Sequence, residues 1–164
     1  MARTAAPGAS GEPAEPGDER RGAAPPAGCG PIRIAAVILR NAAGEVLTVR
    51  KRHTGSFMFP GGKREPGEAA VDTARREIAE ELGLHLRAED LRSLGAMSAP
   101  AANEPGRRVE CDVFEWGGRL DRLPGVRAEI AQARFYPVGS AAAELAPLTR
   151  DVVFPYLLGI YQED

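Results

Sequence analysis

The chain of 164 residues has 21 lysines and arginines against 23 aspartates and glutamates, so its formal net charge at pH 7 is −2. A charge this close to zero gives no reason to expect binding to polymeric nucleic acid or to a membrane surface. With 43% hydrophobic residues, 19 glycines and 14 prolines, the composition excludes collagen-like and wholly disordered chains. This length is typical of one folded domain.

The first 31 residues differ from the rest of the chain. Residues 1–31 contain no valine, isoleucine, leucine, phenylalanine, tyrosine or tryptophan and are rich in alanine, glycine and proline. Such a segment has too little apolar surface to offset the entropy of ordering it, so we predict a disordered tail over 1–31 and a folded domain over 32–164. No window is apolar enough for a secretory signal or a membrane span, which predicts a cytoplasmic protein.

Apolar runs predict the first strands of the folded domain. Residues 32–39 form the first run, and the turn at 41–44 places residues 46–49 beside it as an antiparallel partner. Residues 51–68 contain several prolines and glycines, which break regular structure, and predict a loop.

The clearest helical pattern follows this loop, from Glu68 to Leu82. Gly83 comes directly after it, where glycine commonly ends a helix. Four apolar residues recur at three- and four-residue spacing and predict one buried stripe: Val71, Ala74, Ile78 and Leu82.

The remainder of the chain predicts more strands and a final helix. Residues 148–161 are typical of a closing helix that Pro155 kinks or restarts. Three further strands are predicted: 91–97, 109–116 and 134–138. This mixture of elements favours an α/β or α+β domain in which helices cover a sheet.

Three glutamates, Glu77, Glu80 and Glu81, lie on a neighbouring face of the predicted helix. Like charges at these spacings repel, and the helix dipole disfavours anions in the last turns, so stability alone does not explain them. Carboxylates without nearby histidine or cysteine are the ligands that Mg²⁺ or Mn²⁺ prefers. A solvated acidic face is the alternative that these three residues by themselves leave open.

A longer motif surrounds these glutamates. Gly62 is followed after five residues by Glu68, and after seven more by Arg-Glu-Ile-Ala-Glu-Glu-Leu-Gly-Leu over residues 76–84. The spacing resembles the Nudix box, and all nine of its defined positions match. The preceding Phe-Pro-Gly-Gly-Lys at 59–63 resembles the MutT-like branch of that family.

The resemblance implies the Nudix fold, a mixed β-sheet sandwiched between helices. It also implies hydrolysis of the pyrophosphate bond in a nucleoside diphosphate linked to another group, X. In the family, Mg²⁺ or Mn²⁺ would be held by the positions that match Glu77, Glu80 and Glu81, together with the backbone carbonyl of Gly61.

The resemblance further assigns catalytic roles. Glu80 is the first choice for the base that accepts a proton from the attacking water, and Glu77 is the second. Arg76 is expected to orient a carboxylate, with Glu68 as its partner. Glu129 is a third candidate for the base, because family members sometimes recruit a glutamate from this region; an ordinary exposed loop glutamate is the alternative.

The substrate is predicted from residues outside the box. Lys51 and Arg52 resemble the basic residues with which MutT-like enzymes contact phosphates or the base, which favours a (deoxy)nucleoside triphosphate, oxidised forms included. Asn103 is expected to read a base edge from a loop that borders the nucleoside pocket, although a polar turn is an equal alternative. Pro100 resembles a proline of ADP-ribose-type members, so ADP-ribose or another nucleotide sugar stays an alternative. The other alternative is a Nudix-like sensor that binds nucleotides without cleaving them.

The expected partner is thus a small nucleotide-type molecule, not a polymeric nucleic acid or a membrane. The sequence is compatible with a monomer or a homodimer.

Overall fold

A computed structural model describes residues 30–159, so the predicted tail over 1–31 lies almost entirely outside the described residues. These described residues form seven strands: β1 (Ile32–Ile38), β2 (Val46–Lys51), β3 (Phe57–Met58), β4 (Gly61–Lys63), β5 (Leu91–Pro100), β6 (Arg108–Trp116) and β7 (Ile130–Tyr136). The helical elements are α1 (Ala70–Leu82), a 3₁₀ turn (Ala88–Asp90), a π-helical turn (Leu148–Val153) and α2 (Phe154–Leu157). None of the helices within this described part is long and apolar enough to cross a membrane.

The strands divide between two sheets. The larger sheet has the order β4-β1-β6-β5, in which β1 and β6 are parallel and the other neighbours are antiparallel. The smaller sheet has the order β3-β2-β7 and is antiparallel throughout. The predicted α+β class and the mixed sheet are therefore confirmed.

Strand β1 lies at the centre of the domain and is covered on both faces. Val37 belongs to one buried cluster with Ile78 of α1, while its neighbour Ile38 belongs to another with Phe154 of α2. Successive side chains of a strand point to opposite faces, so the larger sheet is sandwiched between α1 and the C-terminal helical segment, as predicted.

The predicted hairpin between residues 32–39 and 46–49 is wrong. The two segments meet only at their ends, through a bridge between Arg40 and Val46 and a hydrogen bond from Leu47 N–H to Leu39 C=O. A strand has two hydrogen-bonding edges, and β4 and β6 already occupy both edges of β1. Strand β2 therefore enters the other sheet, between β3 and β7.

Several predicted boundaries shift. The predicted loop over 51–68 contains the short strands β3 and β4, and the helix begins at Ala70, two residues later than its sequence pattern indicates. The last strand begins four residues earlier than predicted, at Ile130. The closing helix is present, and Pro155 lies in the first turn of α2, where a backbone N–H has no partner within the helix.

Candidate active site

The two glycines of β4, Gly61 and Gly62, let β4 pack closely against its neighbour β1 and against α1. A Cβ atom on Gly62 would lie 2.4 Å from Cδ of Glu77. A Cβ on Gly61 would lie 2.1 Å from the carbonyl oxygen of Ala35 in β1, which as backbone cannot easily move. Both distances are far below van der Waals contact, so glycine at these positions allows the carboxylate of Glu77 to lie against the strand.

Arg76 organises the acidic face of α1. Its Nε and Nη2 donate to the two carboxylate oxygens of Glu68 at 2.8 and 2.9 Å, and its Nη1 donates to Glu77 Oε1 at 2.9 Å. A further hydrogen bond of 3.2 Å runs from Nη2 to the carbonyl oxygen of Lys63 at the end of β4. Two-pronged pairing of this kind fixes the plane of the guanidinium as well as its position.

Glu68 is the partner of Arg76 that the sequence motif implies. Its carboxylate is also bonded by the Thr73 hydroxyl and by the backbone N–H of Glu65. Hydrogen bonds from Arg76 and Thr73 to the charged form lower the pKa of Glu68 to about 2. Glu68 is therefore ionised at neutral pH and available to hold Arg76 in place.

Glu81 is the most deeply buried of the three helix glutamates, with 1% of its surface exposed. Its Oε2 accepts a hydrogen bond of 3.2 Å from Gly61 N–H, whereas its Oε1 has no hydrogen-bond partner among residues 30–159. Burial raises the pKa of Glu81 to about 8, against the opposing effect of the nearby Lys51 charge. Ionised Glu81 is therefore costly unless further positive charge comes close to it.

Glu77 and Glu80 have different surroundings. The Glu77 side chain is 13% exposed, and burial raises its pKa despite the hydrogen bond and charge of Arg76. The Glu80 side chain is 53% exposed and lies 3.6 Å from Arg76 Nη1. Glu80 is thus the one of these three carboxylates that faces solvent.

The oxygen donors of this region suit a hard divalent cation. Glu77, Glu80 and Glu81 offer carboxylate oxygens, and Gly61 offers a backbone carbonyl. The buried Glu81 Oε1 without a partner is the group whose charged form a cation would stabilise most. As the side chains stand, the described residues contain no cluster of three or more histidine, cysteine, aspartate or glutamate groups arranged to hold a metal ion. The metal-binding assignment therefore stays a prediction.

Glu129 lies beside this site. Its Oε1 is 3.0 Å from Lys51 Nζ, and its carbonyl oxygen accepts a hydrogen bond of 2.7 Å from Arg52 N–H. The backbone N–H of Arg127 donates to the carbonyl oxygen of Glu81 at 2.8 Å, which ties this loop to the end of α1. The charge of Glu129 also acts on Glu81, so the two carboxylates share one electrostatic environment.

A cavity of about 130 Å³ opens next to β4. Lys51 and Asn103, two of the three predicted substrate-binding residues, line it, together with Gly61 and Lys63. Arg52 is exposed and is not among the described residues that form its wall. The structure thus brings Lys51 and Asn103 to one cavity at the edge of the acidic face and leaves the Arg52 side chain outside it.

Two features of the site have no signal in the sequence. Thr149 lines the cavity from the π-helical turn, and a threonine inside an apolar helical pattern gives no indication of a site. The contact between Gly62 and Glu77 depends on how β4 packs against α1, which no local pattern encodes.

Comparison with known proteins gives a consistent assignment of this chain. The family model of the NUDIX domain matches residues 30–157. An 8-oxo-dGDP phosphatase of Homo sapiens is 35% identical over 99 residues, which cover 57% of this chain and 28% of that protein. An uncharacterized Nudix hydrolase of Pseudomonas aeruginosa is 38% identical over 107 residues, which cover 60% of this chain and 59% of that protein. The chain therefore spans less than two thirds of the length of these curated relatives.

Among solved structures, the MutT protein from Methanosarcina mazei Go1 is similar in fold. It superposes with a TM-score of 0.66 at 22% sequence identity, and the match covers 82% of this chain and 98% of that chain. At this level of identity the likeness shows a shared fold.

Proposed function

The chain belongs to the Nudix family, and on this basis we propose that it is a divalent-cation-dependent enzyme that hydrolyses the pyrophosphate bond of a nucleoside diphosphate linked to another group. The observation that carries this proposal is the acidic face of α1. There, Arg76 and Glu68 fix the position of Glu77 against the backbone of Gly62. A helix surface that needed only solvation would not require glycine at this contact or a two-pronged arginine pair beside it.

The cation is proposed to be Mg²⁺ or Mn²⁺, held by Glu77, Glu80, Glu81 and the Gly61 carbonyl. When bound, it neutralises phosphate charge and lowers the pKa of water. The fit rests on the oxygen donors and on the buried, unpartnered Glu81 Oε1.

Glu80 is proposed as the general base. Its side chain is 53% exposed, so a water molecule can reach a carboxylate oxygen and transfer a proton to it. Glu77 is less suited to this step, because Arg76 Nη1 already occupies one of its oxygens at 2.9 Å. Arg76 lies 3.6 Å from Glu80 and acts as a positioning residue that limits where that side chain can move.

The substrate is proposed to be a (deoxy)nucleoside triphosphate, oxidised forms included. Lys51 and Lys63 line the cavity and supply positive charge for phosphates, while Asn103 lies at its edge for the nucleoside. Lys63 Nζ is 3.3 Å from Glu104 Oε1, so an anionic substrate would compete with a carboxylate for this lysine. The human relative, named as an 8-oxo-dGDP phosphatase, supports a nucleotide substrate.

The role of Glu80 is tested by Glu80→Gln in the presence of Mg²⁺, with the released pyrophosphate converted to phosphate by a coupled inorganic pyrophosphatase. Loss of the base should lower kcat by about 100-fold or more while the melting temperature stays near that of the unaltered protein. Glu89→Gln is the matched control, because Glu89 is similarly exposed and also paired with an arginine, but lies on the 3₁₀ turn. Unchanged turnover in Glu80→Gln, or full activity in excess EDTA, would reject the proposed mechanism.

A further inference from the structure

Thr149 has a buried hydroxyl that the protein itself does not use. Thr149 is 1% exposed, and its Oγ1 has no hydrogen-bond partner among the residues from 30 to 159. Buried polar groups are nearly always hydrogen-bonded, so one without a partner needs an explanation.

The ordinary partners of such a hydroxyl are not used. A threonine inside a helix commonly bonds its hydroxyl to the carbonyl oxygen three or four residues earlier, here Ala146 or Leu145. Thr149 Oγ1 makes neither contact. The Ala146 oxygen accepts a hydrogen bond of 3.0 Å from Arg150 N–H, and the Leu145 oxygen accepts one of 3.2 Å from Arg150 Nη1. The Thr149 backbone oxygen accepts a hydrogen bond from Phe154 N–H.

The unpaired residue lines the cavity that Lys51, Lys63 and Asn103 also border. Much of the wall beside it is apolar, contributed by residues of β1, β6 and the π-helical turn: Ile32, Ile34, Val109 and Leu148. The cavity measures about 130 Å³. An apolar cavity of about 150 Å³ accepts benzene, so this space is comparable to a single aromatic ring and would receive one edge of a nucleobase. The charged lining residues Lys51 and Lys63 come from β2 and β4, and Thr149 comes from the π-helical turn.

We propose that Thr149 is a specificity-determining residue, whose hydroxyl hydrogen-bonds a polar edge atom of the nucleobase in this cavity. The inference rests on the proposed function in assuming a nucleotide substrate, and it adds the group that reads the base. A hydroxyl can both donate and accept, whereas a carboxamide makes a fixed two-point contact. Thr149 therefore accepts a base that presents either an amino or a carbonyl group and discriminates against a base that presents neither.

The test compares Thr149→Val, which keeps the shape and removes the hydroxyl, with Thr149→Ser, which keeps the hydroxyl. Thr48→Val is the matched control, because Thr48 is equally buried but its hydroxyl already donates to Arg134 C=O at 2.9 Å in the smaller sheet. The substrates are dATP and dGTP, each compared with the deoxynucleoside triphosphate of unsubstituted purine, which presents neither an amino nor a carbonyl group. Deoxyribose triphosphate without a base completes the panel.

Thr149→Val should raise KM about three- to tenfold for dATP, dGTP or both, with kcat within about twofold, since a contact to the base contributes equally to ground and transition states. For the unsubstituted analogue of an affected nucleotide, Thr149→Val and the unaltered protein should have the same KM. Thr149→Ser should restore a low KM, and Thr48→Val should lower only the melting temperature. A KM that Thr149→Val leaves unchanged for both nucleotides, or an equal loss with the base-free triphosphate, would overturn the proposal.

Calorimetry with α,β-imido analogues of dATP and dGTP, in which the bond to be cleaved cannot be hydrolysed, separates this inference from the proposed reaction. Weaker binding by Thr149→Val supports the role of Thr149 even if the protein releases no product, in which case only the proposed hydrolysis fails. Normal hydrolysis with equal binding by both proteins rejects the role of Thr149 and leaves the hydrolysis intact. Absence of binding to any analogue and of turnover by the unaltered protein would reject both.

Discussion

Glu81 should make the protein less stable as pH rises, opposite to an ordinary paired carboxylate. Burial raises its pKa from the ordinary 4.5 to about 8. Between those values the folded chain binds a proton at Glu81 that the unfolded chain has released, so the free energy of unfolding falls with increasing pH. In Glu81→Gln this dependence disappears, because an amide does not titrate and can still accept the hydrogen bond from Gly61 N–H.

The size of the effect follows from the pKa. A difference of one in pKa corresponds to about 1.4 kcal/mol, so a rise from 4.5 to about 8 destabilises the folded state by about 5 kcal/mol once Glu81 is fully ionised. About 3 kcal/mol of this loss falls between pH 5 and pH 8. The rest falls below pH 5, where the unfolded carboxyl is still partly protonated, and above pH 8, where the folded carboxyl completes its ionisation. Glu77, whose pKa burial also raises, contributes in the same direction and is common to both proteins.

Urea unfolding in EDTA at several pH values between 5 and 8 measures this difference. The free energy of unfolding of Glu81→Gln, relative to that of the unaltered protein, should increase by about 3 kcal/mol from pH 5 to pH 8. Glu89→Gln should show no such trend. Added Mg²⁺ should reverse the order at pH 8, since it stabilises only the protein that retains its ligand. A constant difference between the two proteins from pH 5 to pH 8 would refute the reasoning.

Two further substitutions test the supports of the acidic face. Gly62→Ala places a Cβ 2.4 Å from Glu77 Cδ and should lower kcat/KM about 100-fold in the pyrophosphatase-coupled assay, whereas Gly55→Ala, with open space around it, should not. A fully active Gly62→Ala enzyme would argue against the close contact. The low pKa of Glu68, about 2, contributes stability above pH 4.5 that is lost as pH falls towards 2. Glu68→Gln should therefore lower the melting temperature at neutral pH and flatten its decline on acidification; parallel curves would show that Arg76 does not depend on this charge.

Local patterns predict the parts of the fold that depend on neighbouring residues. The spacing of Ala74, Ile78 and Leu82 indicates the helix because all three lie on its buried side, in one cluster with β1. The contact between Arg76 and Glu68 also follows from the motif, and the structure contains it.

Features that depend on distant partners are not encoded locally. The pairing of β2 with β7 brings together residues 79 to 90 positions apart, and it prevails because both edges of β1 are already occupied. The three helix glutamates look equivalent in sequence, yet Glu81 is buried against Gly61 while Glu80 faces solvent. That the Thr149 hydroxyl lacks a hydrogen-bond partner in the described part of the chain is apparent only from its three-dimensional surroundings, where Arg150 rather than Thr149 donates to the Leu145 carbonyl oxygen.

The central claim is the cation-dependent cleavage of a pyrophosphate bond, and mass spectrometry of the products tests it most directly. The protein is incubated with a panel of (deoxy)nucleoside triphosphates, 8-oxo-dGTP and ADP-ribose, with Mg²⁺ or with excess EDTA. We expect at least one nucleotide to be split between two phosphorus atoms, giving a nucleoside monophosphate and pyrophosphate from a triphosphate, only with the cation present. Equal cleavage in EDTA, or no cleavage of any nucleotide with Mg²⁺ or Mn²⁺, would contradict the claim.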